Sequence, residues 1–181
     1  MSQIIAGSAQ YPRDTPPPVV TIGNFDGVHH GHRHLLDRLR RRAEELGAPS
    51  CVYTFEPPPR VLLAPQLRQP RISPWDEKIR LLHEVGIDQV VIERFTRAFA
   101  QHPPEWFIRE ILERRLRARA LVVGYDFRFG RARAGDVGFL RRTVPYLPVE
   151  QVLPQSDGSD VVSSSAIRRL VEAGEVERAC E

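Results

Sequence analysis

The sequence has little of what would indicate a membrane, secreted or fibrous protein. No apolar run approaches the roughly 20 residues that a bilayer-spanning helix requires. The opening MSQIIAGSAQYPRD lacks the charged start and apolar stretch of a signal peptide. Internal repeats and low-complexity segments are also missing from the sequence. We therefore expect a globular, cytoplasmic protein with no membrane partner.

Cysteine is scarce as well. The two cysteines, Cys51 and Cys180, form no spacing that is typical of a metal site or a redox motif. Cys51 belongs to the apolar run CVYTF, where a thiol acts as a small buried hydrophobe. The sequence therefore favours a reduced, buried thiol over a structural disulfide.

The charge balance is close to even, with a formal net charge of +3 and a sequence pI of about 9.2. Arginines are concentrated in two stretches, residues 38–42 and 114–119, each beside glutamates in a helical pattern. Such stretches are typical of solvated helix faces with local ion pairs. We therefore expect no nucleic-acid partner.

Short apolar runs alternate with helical patterns along the chain. The runs are continuous and rich in β-branched residues, as in strands buried on both faces: Val19–Ile22, Cys51–Phe55, Gln89–Ile92, Ala120–Val123 and Val149–Leu153. Helical patterns with one apolar face lie between the runs, at residues 35–46, 79–85 and 107–116. This alternation predicts an α/β fold with a doubly wound, mainly parallel, five-stranded Rossmann-like sheet and helices on both faces. A length of 181 residues suits one domain.

Two stretches resist regular structure. Glu56–Pro74 contains six prolines, and Phe127–Gly138 is rich in glycine and arginine. We expect both to be long ordered loops. Long loops inside a compact α/β domain are usually functional.

The first strand leads directly into GNFDGVHHGH, residues 23–32, and a helical pattern then begins. Glycines let the backbone turn tightly and approach a ligand, and a helix start offers free N–H groups and a positive dipole end. This arrangement predicts an anion site. His29 and His32 are suited to donate hydrogen bonds to one phosphate chain as charge builds on a leaving group.

These histidines also allow two other interpretations. Four histidines, at positions 29, 30, 32 and 34, raise the alternative of a metal site. Neither a nearby cysteine nor a His-Glu-x-x-His pattern completes a set of metal ligands, however. A purely structural turn is the other alternative. Phosphate binding is favoured over it because a second loop suited to phosphate occurs far along the chain.

That second loop is VSSSAIR, residues 162–168, at the start of another helical pattern. Serine before a helix is first of all an N-cap, which accounts for one of the three serines. The remaining two, together with Arg168, form a set of donors that suits a polyphosphate.

The two loops resemble the signature of the His-x-Gly-His nucleotidylyltransferase superfamily. Between them stand TFEP, residues 54–57, and VVGYDFRFG, residues 122–130, followed by Gly135 and Asp136. In this order the motifs resemble the FMN adenylyltransferase module of bacterial bifunctional riboflavin kinase/FAD synthetases. The resemblance extends from about Val19 to Ala179.

The resemblance implies that the phosphate of FMN attacks the α-phosphorus of ATP, giving FAD and pyrophosphate. No protein nucleophile would be required. Catalysis would depend on positioning and charge stabilisation, with Mg²⁺ bridging phosphate oxygens. FMN and ATP would be the substrates.

The resemblance also implies roles for individual residues. Three would act in catalysis: His29, His32 and Arg168. Contacts to ATP would come from Gly23, Asn24, Phe25, Gly27, Gly31, Asp126, Ser163, Ser164 and Ser165. The flavin would contact Phe55, Pro57 and Phe127, although an ordinary core role for the two phenylalanines remains open. Asp126 is the one candidate ligand for Mg²⁺. Asp26 is expected to cap a helix.

In the bifunctional family a riboflavin kinase module follows the final helix, and this sequence ends where that module would begin. We therefore expect residues 1–181 to form a single nucleotidylyltransferase domain without the kinase module. A stand-alone enzyme and a fragment of a bifunctional protein both remain open, and a separate riboflavin kinase would supply FMN. Two alternative functions also remain. One is another enzyme of the superfamily, acting on a phosphorylated alcohol, pantetheine phosphate or nicotinamide mononucleotide, and the other is an inactive flavin- or nucleotide-binding regulator.

Overall fold

The computed structural model describes residues 2–66, 71–154, 164–175 and 177. Within these ranges six strands form one sheet: β1 Gln3–Ile5, β2 Val19–Ile22, β3 Ser50–Glu56, β4 Gln89–Arg94, β5 Ala120–Gly124 and β6 Val149–Val152. Their spatial order is β1-β4-β3-β2-β5-β6, and every neighbouring pair is parallel. The predicted α/β class and parallel sheet are confirmed, and the sheet has six strands where the sequence predicted five.

The additional strand is β1 at one edge of the sheet. Gln3 is paired with Gln89 and Ile5 with Val91, so β1 extends the sheet beyond β4. It is only three residues long, and two of the three, Gln3 and Ile4, are exposed. A strand this short does not produce the continuous apolar run on which the prediction depended.

The helices lie between the strands in chain order. Their bounds are α1 His30–Glu45, α2 Pro59–Leu63, α3 Trp75–Glu84, α4 Arg97–Ala100, α5 Pro104–Trp106, α6 Val137–Thr143 and α7 Ser164–Glu172. Helix α5 continues without a break as a π-helical segment, Phe107–Arg115. None of the helices in the described ranges is both long and apolar enough to cross a membrane.

The two predicted loops contain more structure than expected. Helix α2 lies inside Glu56–Pro74 and begins with Pro59. Proline is favourable there, because an N–H group at the first helical position makes no intrahelical hydrogen bond in any case. In the second loop, Phe129 and Gly135 exchange backbone hydrogen bonds, and a 3₁₀ turn at Arg131–Arg133 closes the hairpin. Both stretches therefore include short regular elements that the predicted ordered loops did not.

Both faces of the sheet are covered by helices, as predicted. Alternate residues point to opposite sides, so Val19, Val52 and Val90 pack with α1 and α3 on one face. The opposite face packs against α5 with its π-helical continuation and against α6, and it includes Cys51, which is free and fully buried. Cys180 lies outside the described residues.

The strand order reverses between β2 and β5. From β2 the chain proceeds outward through β3 to β4, and it then returns to place β5 and β6 on the other side of β2. A crevice at such a reversal is where ligands bind in open parallel sheets. Two of the sequence motifs lie there: one follows Ile22 at the end of β2, and the other extends past Gly124 at the end of β5.

Candidate active site

The turn that follows β2 is shaped by close packing of its glycines. A Cβ atom on Gly23 would lie 2.9 Å from the ring of Phe25, which is buried and has a left-handed backbone conformation. Gly27 has a φ of 79°, and a Cβ there would lie 2.7 Å from a methyl carbon of Ile72. Larger residues would displace the turn at both positions. The glycines therefore fix the path of the backbone into α1.

Two histidines are held together at the start of α1. His29 is the N-cap residue, and its Nδ1 accepts a hydrogen bond of 3.4 Å from the backbone N–H of His32. The two imidazole rings are stacked, with centroids 3.7 Å apart. The Phe25 ring lies against His32 at a centroid distance of 5.1 Å. Both imidazoles thus lie at the positive end of the helix dipole, as the sequence predicted.

The environment keeps both imidazoles uncharged at neutral pH. Burial lowers the pKa of His29 to about 4, with a smaller contribution from His30. Burial lowers the pKa of His32 to about 3, and electrostatic interactions with His29 and Lys78 act in the same direction. Since Nδ1 of His29 accepts a hydrogen bond, we assign its proton to Nε2. The histidines are therefore neutral donors and do not supply fixed positive charge.

The second loop meets the first at this point. Nε2 of His29 lies 3.2 Å from Oγ of Ser164 at the start of α7, and the same hydroxyl donates a 3.4 Å hydrogen bond to the carbonyl of Asp26. Arg168, one turn further along α7, forms an ion pair with the carboxylate of Asp26. Ser163 and the side chain of Ser165 lie outside the described part of the structure. The contacts made by Ser164 and Arg168 bring the two loops into one site.

Asp26 connects this site to the segment before α3. Its carboxylate accepts hydrogen bonds from the backbone N–H groups of Ile72 at 3.1 Å and Ser73 at 3.3 Å. In return, the Ser73 hydroxyl accepts a 3.1 Å hydrogen bond from Gly27. These contacts give Asp26 a structural role, but the expected helix cap is wrong, because α3 begins after Pro74 without a side-chain cap hydrogen bond. They add an ion pair with Arg168 that the sequence did not reveal.

The remaining candidates for ATP contacts lie around the crevice. Asn24 and Gly31 are exposed, at the two ends of the turn. Asp126 is exposed just beyond the end of β5, and its carboxylate has no hydrogen-bond or ion-pair partner among the described residues. Among the described residues, no three histidine, cysteine or acidic side chains are grouped so that they could hold a metal ion.

The flavin candidates are half-buried at the carboxyl ends of β3 and β5. Phe55 makes edge-to-face contacts with Tyr53 and Phe95, with ring centroids 5.3 and 5.4 Å apart. Phe127 is stacked on Phe129 at a centroid distance of 5.4 Å. Pro57 follows β3 and is also half-buried. Each phenyl ring thus packs against the core on one side and retains an exposed part.

One residue of this region was not found by the sequence analysis. Lys78 of α3 is only 6% exposed, and its Nζ donates a 2.7 Å hydrogen bond to Oγ1 of Thr54. A signal was available, because Lys78 lies four residues before the buried Leu82 and therefore on the apolar face of its helix. Lysine is rarely buried unless its charge is paired, so a lysine on the apolar face of a helix indicates a functional role for the charge.

The fold and the two joined loops define a nucleotidylyltransferase-type domain. The model of the FAD synthetase family matches residues 11–166. The chain therefore belongs to the FAD synthetase family, which confirms the resemblance seen in the sequence.

Relatives of known sequence agree with this assignment. The chain is 39% identical over 163 residues to a putative bifunctional riboflavin kinase/FMN adenylyltransferase of Geobacillus thermodenitrificans, covering 90% of this chain and 87% of that protein. It is 40% identical over 155 residues to the bifunctional riboflavin kinase/FMN adenylyltransferase of Escherichia coli strain K12, covering 84% of this chain. The chain spans about half the length of the Escherichia coli relative, at 50%.

Solved structures share the fold. A protein of Streptococcus pneumoniae described as a macrolide-efflux protein superposes with a TM-score of 0.84 at 25% identity, over 99% of this chain and 60% of its own. The pantoate-beta-alanine ligase of Francisella tularensis superposes with a TM-score of 0.58 at 13% identity, over 92% of this chain and 72% of its own. At that low identity the second match concerns the fold alone.

Proposed function

We propose that this chain is an FMN adenylyltransferase, which transfers AMP from ATP to the phosphate of FMN and releases pyrophosphate. The observation that carries the proposal is the 3.2 Å contact between His29 and Ser164, because it joins both phosphate-suited loops around one crevice. Membership of the FAD synthetase family supports the choice of acceptor.

In the proposed reaction an oxygen of the FMN phosphate attacks the α-phosphorus of ATP. The bond from that phosphorus to the bridging oxygen breaks, and its electron pair leaves with pyrophosphate. The neutral imidazoles of His29 and His32 donate hydrogen bonds to phosphate oxygens as negative charge builds on the leaving group. Ser164 and Arg168 hold the pyrophosphate from the other side. Catalysis therefore depends on positioning and charge stabilisation without a covalent protein intermediate.

Magnesium enters this proposal together with ATP. The exposed carboxylate of Asp126 is an oxygen ligand of the type that Mg²⁺ prefers, and it is not engaged by the described residues. Bound Mg²⁺ would neutralise charge on the phosphate oxygens. The four histidines near the start of α1 are not assigned to it, because imidazole suits softer metals.

The flavin is proposed to lie against the ends of β3 and β5. Phe55, Pro57 and Phe127 offer flat or apolar surfaces there, and each is half-buried. An isoalloxazine ring favours such neighbours. The partial exposure of both phenyl rings is compatible with contacts to a ligand on one side and to the core on the other.

We further propose that residues 1–181 act as one nucleotidylyltransferase unit in the cytoplasm. FMN would be supplied by a riboflavin kinase, either a module of the same protein or a separate enzyme. The names of the relatives, which combine both activities, support this order of reactions.

An acceptor screen tests the proposed function. The protein is incubated with ATP, Mg²⁺ and one acceptor at a time: FMN, pantetheine phosphate, nicotinamide mononucleotide or a phosphorylated alcohol with CTP. We expect FAD and pyrophosphate in equal amounts with FMN alone. Reaction of another acceptor while FMN stays unconverted would identify a different transferase. Tight FMN and ATP binding by calorimetry without pyrophosphate release would identify a regulator.

A further inference from the structure

Lys78 is the only lysine in the sequence, although lysine and arginine together number 26. Arginines such as Arg40, Arg80 and Arg114 lie on solvated helix faces. Lys78, by contrast, is 6% exposed. Arginine and lysine are not equivalent, because a compact ammonium group fits where a planar guanidinium does not. Among the lysine and arginine residues that the structure describes, the single lysine is therefore the most buried.

The partners of this ammonium group are incomplete. It has three N–H donors, and among the described residues only Oγ1 of Thr54 accepts from it, while the ring of Trp75 lies 5.1 Å away. No carboxylate of the described residues lies within 4.0 Å of Nζ. The nearest acidic groups are already paired, Glu56 with Arg71 and Asp26 with Arg168. A buried charge with one neutral acceptor is costly in the free protein.

Lys78 is connected through Thr54 to the turn at residues 23–29 that is proposed to bind phosphate. Thr54, which accepts from the ammonium group, donates a 3.3 Å hydrogen bond to the carbonyl of Asn24 in that turn. The positive charge of Lys78 also contributes to the low pKa of His32. With both imidazoles neutral, positive charge next to the turn comes from other side chains, among them Lys78 and Arg168. Arg168 is already committed in part to Asp26.

We infer that Lys78 binds a phosphate group of a substrate at the turn, and that it supplies the positive charge that the neutral histidines do not. The inference rests on the proposed function for the identity of that substrate. The shared chemistry is a phosphate, which could belong to ATP or to FMN. The incoming anion would complete the partners of the ammonium group and offset its cost of burial.

The surroundings of Lys78 set its protonation. Burial lowers its pKa to about 8, and Arg71 acts in the same direction, whereas Glu56 and Asp26 act against it. His32 faces it from α1 and is neutral above pH 5. A bound phosphate would favour the charged form and raise the pKa. Affinity for the anion should therefore fall as the pH rises above about 8.

A single lysine permits a direct measurement. Protein grown with ¹³C-labelled lysine gives one set of lysine signals, so the Cε signal of Lys78 needs no assignment. We expect addition of pyrophosphate, ATP or FMN to shift this signal and to move its titration to higher pH. An unchanged titration at saturation, with binding verified by calorimetry, would overturn the inference. Because this measurement needs no turnover, it distinguishes failure of the inference from failure of the proposed reaction.

Two variants provide the kinetic test. Lys78→Met keeps the length of the side chain and removes the charge, and Arg80→Met removes an exposed charge from the same helix as a control. We expect Lys78→Met to raise KM for ATP or FMN about 10- to 100-fold, and the affected substrate identifies the phosphate. The Tm of the ligand-free variant should stay equal or rise. Kinetic constants within about twofold of the original, or a clearly lower Tm, would contradict the inference.

Discussion

Nε2 of His29 lies 3.2 Å from Oγ of Ser164, although 135 positions separate the two residues in the chain. The contact brings the N-termini of α1 and α7 to one point at the carboxyl ends of the strands. Two helix starts that face one point provide converging N–H groups for an anion. This relationship, together with the Arg168–Asp26 ion pair, is the basis for a single phosphate site.

Replacement of His32 by alanine tests the role of the imidazole pair. We expect the His32→Ala variant to fold and its kcat for FAD formation to fall about 100-fold or more, the loss typical of one donor to a developing negative charge. Steady-state kinetics and circular dichroism provide the measurements. His30→Ala is the matched control, because His30 is exposed in the same helical turn. Near-normal kcat in His32→Ala would remove the role assigned to this residue.

Asp26→Asn tests whether Asp26 positions Arg168. The substitution removes the carboxylate that pairs with Arg168, and it weakens the contacts to Ile72 and Ser73. We expect KM for ATP to rise about tenfold and the free energy of unfolding to fall by about 2 kcal/mol. Urea unfolding and kinetics measure the two effects. Asp37→Asn, which removes an exposed partner of Arg41 on α1, should change neither.

The low pKa values of the two histidines predict a loss of stability on acidification. In the unfolded chain these groups titrate near 6.5, so below that pH the unfolded state binds more protons than the folded state. Stability should therefore decrease as the pH falls from about 7 towards the folded-state values of about 4 for His29 and about 3 for His32. The size of the effect for the pair is on the order of 2 kcal/mol after solvent screening.

Calorimetry between pH 7 and pH 5 measures this dependence, because carboxylates titrate mainly below that window. The His32→Ala variant should show a flatter dependence of Tm on pH than the original protein. A Tm that does not fall between pH 7 and pH 5, or that falls equally in His32→Ala, would contradict the burial described above.

Phe127→Ala tests the proposed flavin surface. Phe127 and Phe139 are both half-buried and both contact the ring of Phe129, at centroid distances of 5.4 and 6.3 Å. Only Phe127 belongs to the motif at the end of β5. We expect Phe127→Ala to raise Kd for FMN about tenfold with Kd for ATP unchanged, and Phe139→Ala to alter neither. Equal effects of the two substitutions would assign Phe127 to the core.

The sequence predicted the parts of this fold that depend on long, repeated patterns. Buried parallel strands are continuous apolar runs, so β2 to β6 were recognised with small differences at their ends. Strand β1 was missed because three residues at an edge leave no such run. Helix α2 was missed because prolines are breakers in general but favourable at the first helical position, which Pro59 occupies.

The site was predicted to the extent that its residues lie in compact motifs. His29, Ser164 and Arg168 meet as expected, since the carboxyl ends of parallel strands lie on one side of the sheet. Lys78 and the Arg168–Asp26 ion pair were not found. The position of Lys78 depends on the packing of α3 against the turn, and the ion pair depends on the contact of α7 with the same turn. Such long-range contacts have no local pattern in the sequence.

The most direct test of the central claim follows the phosphorus atoms of ATP through the reaction. Separate incubations with α-labelled and γ-labelled [³²P]ATP, FMN and Mg²⁺ are analysed for labelled flavin and labelled pyrophosphate. Attack at the α-phosphorus predicts the α-label in FAD and the γ-label in pyrophosphate, in equal amounts. Transfer of the γ-label to the flavin, or no transfer from either ATP, would contradict the account.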